Sequence, residues 1–195
     1  LQQEAGAGTG TTFQVERSYI VAQMSTGLLI VDQQLAHERI LYERYGKQLQ
    51  TTQGASQQCL FPTVLTLNPA DFALVMDMLP ELVSLGFLVD EFGKDTVVIR
   101  GVPAETQVKN EKELFEGLIE QYKNFKNELS LDKKENLARS LAKRSCLKKG
   151  QKLDAQEMET LVGQLFACPN PNYSPSGNKT FVKLDLTSIH AFFAK

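Results

Sequence analysis

Leu28-Leu29-Ile30-Val31-Asp32-Gln33-Gln34-Leu35-Ala36-His37-Glu38-Arg39-Ile40-Leu41-Tyr42-Glu43 changes its periodicity at Asp32. The apolar run before Asp32 reads as a buried strand, and Ala36, Ile40 and Leu41 then recur at helical spacing. Asp32 therefore stands where a strand ends and a helix begins, a natural N-cap position. That position also aims a carboxylate at whatever lies beyond the end of the strand.

Working outward, Phe13-Gln14-Val15 leads to a strand at Tyr19–Gln23, and Ser25-Thr26-Gly27 supplies the turn into Leu28. The helix is expected to run from Gln33 to Tyr45 and stop at Gly46. A polar loop from Gln50 to Gln58 follows, then a strand over Leu60–Leu67. Asn68 caps a helix that begins at Pro69 and continues past Pro80 as a second helix. Phe87–Val89 and Thr96–Arg100 form a hairpin around Phe92-Gly93-Lys94-Asp95. Beyond it lie an amphipathic helix over Lys112–Leu129 and another over Asp132–Leu147, ended by Gly150. A third spans Asp154–Phe166, with Asp154 and Glu157 spaced as a capping box. A Pro/Asn/Ser-rich loop from Cys168 to Asn178 precedes the strand Thr180–Leu184 and a short apolar helix at Ile189–Phe193. The order of elements predicts an α+β fold without internal repeats.

The chain has 195 residues, 42% hydrophobic and 23% charged, with net charge −2, which is globular composition without a global pull toward nucleic acid. No apolar run approaches the roughly 18 residues of a membrane span, so no membrane partner is expected. Three cysteines at irregular spacing, Cys59, Cys146 and Cys168, make no disulfide framework and fit a reducing cytoplasm. Residues 1–12, rich in Gly and Thr, read as the remnant of a flexible linker, so the chain is expected to be the end of a longer protein.

Asp32, Gln33, Glu38 and Glu43 match the run Asp-Gln-His-Ala-x-x-Glu-x-x-x-x-Glu of nuclease-competent MutL proteins, and on them the chain resembles the C-terminal domain of the MutL family of DNA mismatch-repair proteins. The resemblance extends along nearly the whole chain. It implies a two-lobed architecture: a dimerisation lobe from residues 13–58 and 130–195, and an external, regulatory α/β lobe from 59–129. It also implies that ATP belongs to an ATPase domain ahead of the linker.

The departures from the family's motifs concern metal binding. Gln34 stands where the motif has His, and Leu35 replaces Ala. A second motif, Ala-Cys-(basic)-Ala-x-Ile-Lys-Ala-Gly, is best matched by Ala142–Gly150, which puts Lys143 at the Cys position and Cys146 three residues away. The third, Cys-Pro-His-Gly-Arg-Pro-Thr, has two frames. Cys168-Pro169-Asn170 keeps Cys-Pro and loses the His; Pro175–Leu184 fits the spacing and the following strand better, with Ser174 and Ser176 at the Cys and His positions. Amide, ammonium and hydroxyl groups replace imidazole and thiolate, so the nuclease site is expected to be vestigial. Asp32, Glu38 and Glu43 remain as candidate catalytic carboxylates. Asp32, His37, Glu38 and Cys168 remain as candidate ligands, at most for a weakly held Mg²⁺ or Mn²⁺. The alternative is a metal-dependent nicking endonuclease with a divergent site at Asp32 and Glu38.

Three contacts complete the expectations. Gln57-Gln58-Cys59-Leu60-Phe61-Pro62 contains Gln-x-x-Leu-x-Pro, which is similar to the sliding-clamp motif of bacterial MutL proteins, so Gln57, Leu60, Phe61 and Pro62 are the clamp-binding candidates. Lys143, Arg144, Lys148 and Lys149 belong to a basic stretch able to follow a phosphate backbone without reading sequence. The Phe192-Phe193 pair, the Phe181-Val182 strand and the strand around Tyr19–Val21 supply apolar surface for a homodimer. The resemblance adds a mismatch-recognition protein as a partner in the full complex, and a cytoplasmic location near the bacterial nucleoid.

Overall fold

The computed structural model describes residues 11–51, 54–106, 110–128 and 132–194. Most of the expected linker remnant, residues 1–12, lies outside them. The element order is β1 (Thr12–Val15), β2 (Tyr19–Met24), β3 (Gly27–Asp32), α1 (Gln33–Thr51), β4 (Ser56–Thr66), α2 (Pro69–Ser84), β5 (Leu88–Glu91), β6 (Thr96–Pro103), α3 (Glu111–Glu128), α4 (Lys133–Ser145), α5 (Ala155–Phe166), β7 (Phe181–Asp185) and α6 (Leu186–Phe193). The described residues thus form a mixed α+β fold with six helices and two antiparallel sheets, ordered β1-β2-β3-β7 and β4-β6-β5. Among them, no helix is long and apolar enough to cross a membrane.

The chain divides into two compact units. The first holds the described residues up to Leu41 together with those from Cys146 on, and the second is Tyr42–Ser145. The changeover falls inside α1 and directly after α4. Both expected lobe boundaries, after residues 58 and 129, lie within the second unit.

The first unit is built on the four-stranded sheet. Its last strand pairs with β3 in the register Val31↔Phe181 to Gly27↔Asp185, so segments about 150 residues apart in the chain share one ladder. Strand alternation sends Ile20, Leu29 and Val31 to one face, where they pack with Ala36 and Ile40 of α1 and Met158, Leu161 and Leu165 of α5. Gly27 has φ +149°, and a Cβ there would overlap the Leu184 carbonyl, so glycine is what lets β7 approach.

The second unit packs α2 and α3 on the three-stranded sheet. Leu65, Val97, Ile99 and Val89 point inward from the strands, and Phe87 meets the Phe115 ring edge to face at 5.6 Å.

Several boundaries differ from the sequence expectation. The first helix does not stop at Gly46 but continues to Thr51. Tyr45 and Leu49 are buried on either side, and that burial outweighs the ~1 kcal/mol a mid-helix glycine costs. Pro80 does not divide α2 into two helices, because buried Val75, Met78 and Leu82 hold one continuous face across it. The fourth helix ends at Ser145, not Leu147. The expected polar loop at 50–58 is shortened by α1 before it and by β4, which begins at Ser56. The capping box on α5 is present, with Asp154 Oδ1 accepting from the Glu157 N–H and Glu157 Oε2 accepting from the Asp154 N–H, each at 2.8 Å.

Candidate functional site

At the junction of β3 and α1, Asp32 caps the helix, its Oδ1 accepting the Leu35 N–H at 3.0 Å. Glu38, one and a half turns along, is 3% exposed, and its Oε1 accepts the Ser176 hydroxyl at 2.5 Å. Ser174, two residues earlier in the same loop, is also buried, and its hydroxyl finds no hydrogen-bond partner among the described residues. The loop is held by Ser174 N–H to Asn178 O, Gly177 N–H to Ser174 O, and Arg39 Nε donating to Tyr173 O at 2.7 Å.

Cys146 reaches the same place. Burial pushes its thiol up to about 11, Lys148 opposes that rise, Glu38 adds to it, and the Gln34 side chain hydrogen-bonds with it. It is a neutral thiol at neutral pH, not the thiolate that binds metals. His37 is committed as well: its Nδ1 accepts the Leu147 N–H at 2.9 Å.

The first unit therefore gathers Asp32, Gln34, Glu38, Cys146, Ser174 and Ser176 around the start of α1. These donors do not fit a zinc-type ion, for they offer one buried carboxylate, hydroxyls, an amide and a protonated thiol. Among the described residues, no group of three His, Cys, Asp or Glu side chains is placed to hold a metal ion. Cys168 instead uses its Sγ toward the Gln164 carbonyl at 3.4 Å, one turn back on α5. Glu43 lies in the second unit, further along α1.

The clamp-motif residues fall on an irregularity in β4. Gln58 pairs with Gly101 and Thr63 with Ile99, so Cys59, Leu60, Phe61 and Pro62 face the single residue Arg100 across the ladder. The bulge throws Leu60 and Phe61 outward, 87% and 77% exposed. Gln57 stays in register with Val102 at the bulge's edge. A side chain at Gly101 would press on Ser56 and Leu88, so glycine lets those two side chains close over β6 next to the bulge.

The four basic candidates separate. Lys143 and Arg144, in the second unit, pack against α3: the Lys143 ammonium sits 5.2 Å from the Phe125 ring centre, and the Arg144 guanidinium lies against Gly117 and donates to Glu113 O at 3.3 Å. Lys148 and Lys149, in the first unit, are exposed.

Sequence reasoning missed a clasp of buried amides. Gln33 Nε2 donates to the carbonyls of Arg17 (2.8 Å), Gln151 (3.1 Å) and Lys148 (3.4 Å), while its Oε1 accepts from Gln14 Nε2 at 2.6 Å. Glutamine carries no periodic signal, and only tertiary contact reveals the role. The apolar surface expected at Tyr19–Val21, Phe181-Val182 and Phe192-Phe193 is divided by strand alternation, for Ile20 and Phe181 turn to the core and the others to the second face of the four-stranded sheet or to α6. The registers place Phe13, Val15, Tyr19, Val21, Leu28, Ile30, Val182 and Leu184 on one side, away from the core. Phe13, Val15, Tyr19 and Val182 are exposed there, as are Leu186, Phe192 and Phe193 of α6.

An uncovered apolar sheet face of this extent is the mark of an association domain. The family model of the MutL C-terminal dimerisation domain matches residues 12–153, and the chain belongs to that family. It is 37% identical over 183 residues to the DNA mismatch repair protein MutL of Chlorobium phaeovibrioides, which covers 94% of this chain and 30% of that protein. The corresponding proteins of Chlorobaculum parvum and Chloroherpeton thalassium are each 36% identical, covering 94% of this chain and 29% of theirs. The chain spans about 30% of the length of these relatives.

Proposed function

We propose that the chain is the homodimerisation and interaction domain of a DNA mismatch-repair protein, that it contacts a sliding clamp, and that it does not cut DNA. The observation that carries dimerisation is the exposed apolar face of the four-stranded sheet, continued by Leu186, Phe192 and Phe193. A two-fold partner presenting the same face would cover it, as isologous interfaces require. Two copies so joined would hold two ATPase arms together, with a mismatch-recognition protein in the full complex. In this reading the first unit is the dimerisation lobe and the second an external, regulatory lobe.

Clamp contact is supported by the bulge. A ladder residue could not leave the sheet, but Leu60 and Phe61 already have, and they can enter a pocket on a partner with little rearrangement. Absence of nuclease activity is supported by donor chemistry: a neutral thiol, a hydroxyl and an amide stand near Glu38.

Sedimentation of the isolated chain tests the first claim, with a dimer expected at micromolar concentration; a monomer at tens of micromolar overturns it. Supercoiled plasmid with Mn²⁺ tests the third. The plasmid should stay intact, whereas nicking abolished by Asp32→Asn and by Glu38→Lys would establish an active site.

A further inference from the structure

Four cations of the first unit, Arg17, Lys148, Lys149 and Lys152, are drawn together by backbone contacts. Gly150 N–H donates to the Arg17 carbonyl at 2.9 Å, which fastens the turn after α4 to the hairpin turn between β1 and β2. The Gln33 amide bonds the carbonyls of Arg17, Lys148 and Gln151 at once, and Gln14 Nε2 adds a bond to Gln151 O at 2.9 Å. Both turns are tight, with left-handed backbone at Glu16 (φ 49°), Arg17 (φ 48°) and Gly150 (φ 87°). Their carbonyls point inward to buried Gln33 and half-buried Gln14, and all four cationic side chains are exposed.

The charge of this patch runs against the chain's net −2. Glu16 is the only acid within the two turns. Beyond them, Asp154 and Glu157 are occupied with each other's backbone N–H groups.

We infer that Arg17, Lys148, Lys149 and Lys152 form one phosphate-contacting patch for double-stranded DNA. The inference is independent of the dimer and clamp readings. The turn after α4 exposes no apolar side chain, since Leu147 and Leu153 at its edges are buried; Val15 and Tyr19, which flank the other turn, are exposed and belong to the apolar face of the sheet. A protein interface would need apolar or aromatic anchors, an inserted membrane helix an apolar wedge, and a single-strand site stacking rings. The turn after α4, which carries three of the four cations, offers charge without any of these, and that suits a duplex backbone contacted without regard to sequence. Lys143 and Arg144 take no part, because both are engaged in packing α4 on α3.

Four phosphate contacts give log K a slope of about −3.6 against log salt, so affinity falls roughly 100-fold between about 50 and 200 mM salt. The test is fluorescence anisotropy of a labelled DNA duplex titrated with the 195-residue chain across that range. Arg17→Gln with Lys152→Gln should bring the slope to about −1.8, and so should Lys148→Gln with Lys149→Gln, whereas Lys143→Met should leave it unchanged. Sedimentation of the same variants keeps a loss of fold or assembly distinct from a loss of contact. A slope near zero for the unaltered chain overturns the inference. So does a slope that neither double variant lowers, or one that Lys143→Met abolishes. Competition by polyglutamate at equal charge should be weak; equal affinity would assign the patch to acidic polypeptides and overturn the choice of DNA.

Discussion

The two sheets of this chain treat their second faces in opposite ways. On the three-stranded sheet, the face turned from the helices carries the Thr66–Thr96 hydroxyl pair and the Arg100–Asp90 ion pair at 3.0 Å, with Val64, Val98 and Leu88 beside them. On the four-stranded sheet the same side carries Phe13, Val15, Tyr19, Val21, Leu28, Ile30, Val182 and Leu184. Polar cross-strand pairs leave a face at ease in water, and a run of apolar ones asks for a cover. One sheet turns a mostly polar face to water; the apolar face of the other suits the association proposed above.

The comparison can be broken most severely on the apolar face. Val182→Glu should raise the dimer dissociation constant by at least ~100-fold in sedimentation equilibrium, since a carboxylate would be buried without a partner. Asp90→Val on the other sheet should leave the dimer untouched; dissociation there too would erase the distinction between the faces. Next in size is Gly27→Ala. With a Cβ overlapping Leu184 O, β7 must move away, and urea denaturation should show a loss of about 2–4 kcal/mol. A neutral result would mean that β7 is not anchored through Gly27.

The bulge on β4 sharpens the contrast from the other side. Leu60→Ala with Phe61→Ala should change stability by less than ~0.5 kcal/mol, because both side chains are already in solvent, yet weaken clamp binding at least ~10-fold. Unchanged clamp affinity would make the bulge structural only. Asp154→Ala removes the capping box from α5 and should cost about 1 kcal/mol by the same denaturation.

The smallest effect is at α6. Hydrogen bonds from the backbone and side chain of Ser188 hold the Asp185 carboxyl below its ordinary 3.8. Its cap on α6 is therefore fully present above that ordinary value and is lost as pH falls through the lowered one. An NMR titration should show no change between about pH 7 and 5, which is about a unit or more above the group's range, then a shift of the α6 amides in stronger acid. Asp185→Asn should abolish that acid shift. A transition near neutral pH would refute this account.

Much of the local structure was legible before folding. Asp32 as a cap, Asn68 with Pro69, and the Asp154–Glu157 box are short-range hydrogen-bond chemistry, and each is where residue type alone put it. The misreadings at Gly46 and Pro80 share one cause. Helix-breaking residues were weighed by propensity, but burial of Tyr45, Leu49 and Leu82 decides those positions. The candidate site was legible only in outline: Gln34, Ser174 and Ser176 were identified as altered positions, whereas Cys146 was expected three residues off the motif and in fact packs beside Gln34 and Glu38.

Element types, helix starts and the altered ligand chemistry were determined by the sequence alone, because each depends on neighbours within a few residues. The pairing of β7 with β3, the separation of Lys143 and Arg144 from Lys148 and Lys149, and the amide clasp of Gln33 were decided only by tertiary structure. Those contacts join residues that are far apart along the chain, and no local period or propensity encodes which distant partner a strand edge, a cation or a buried amide will meet.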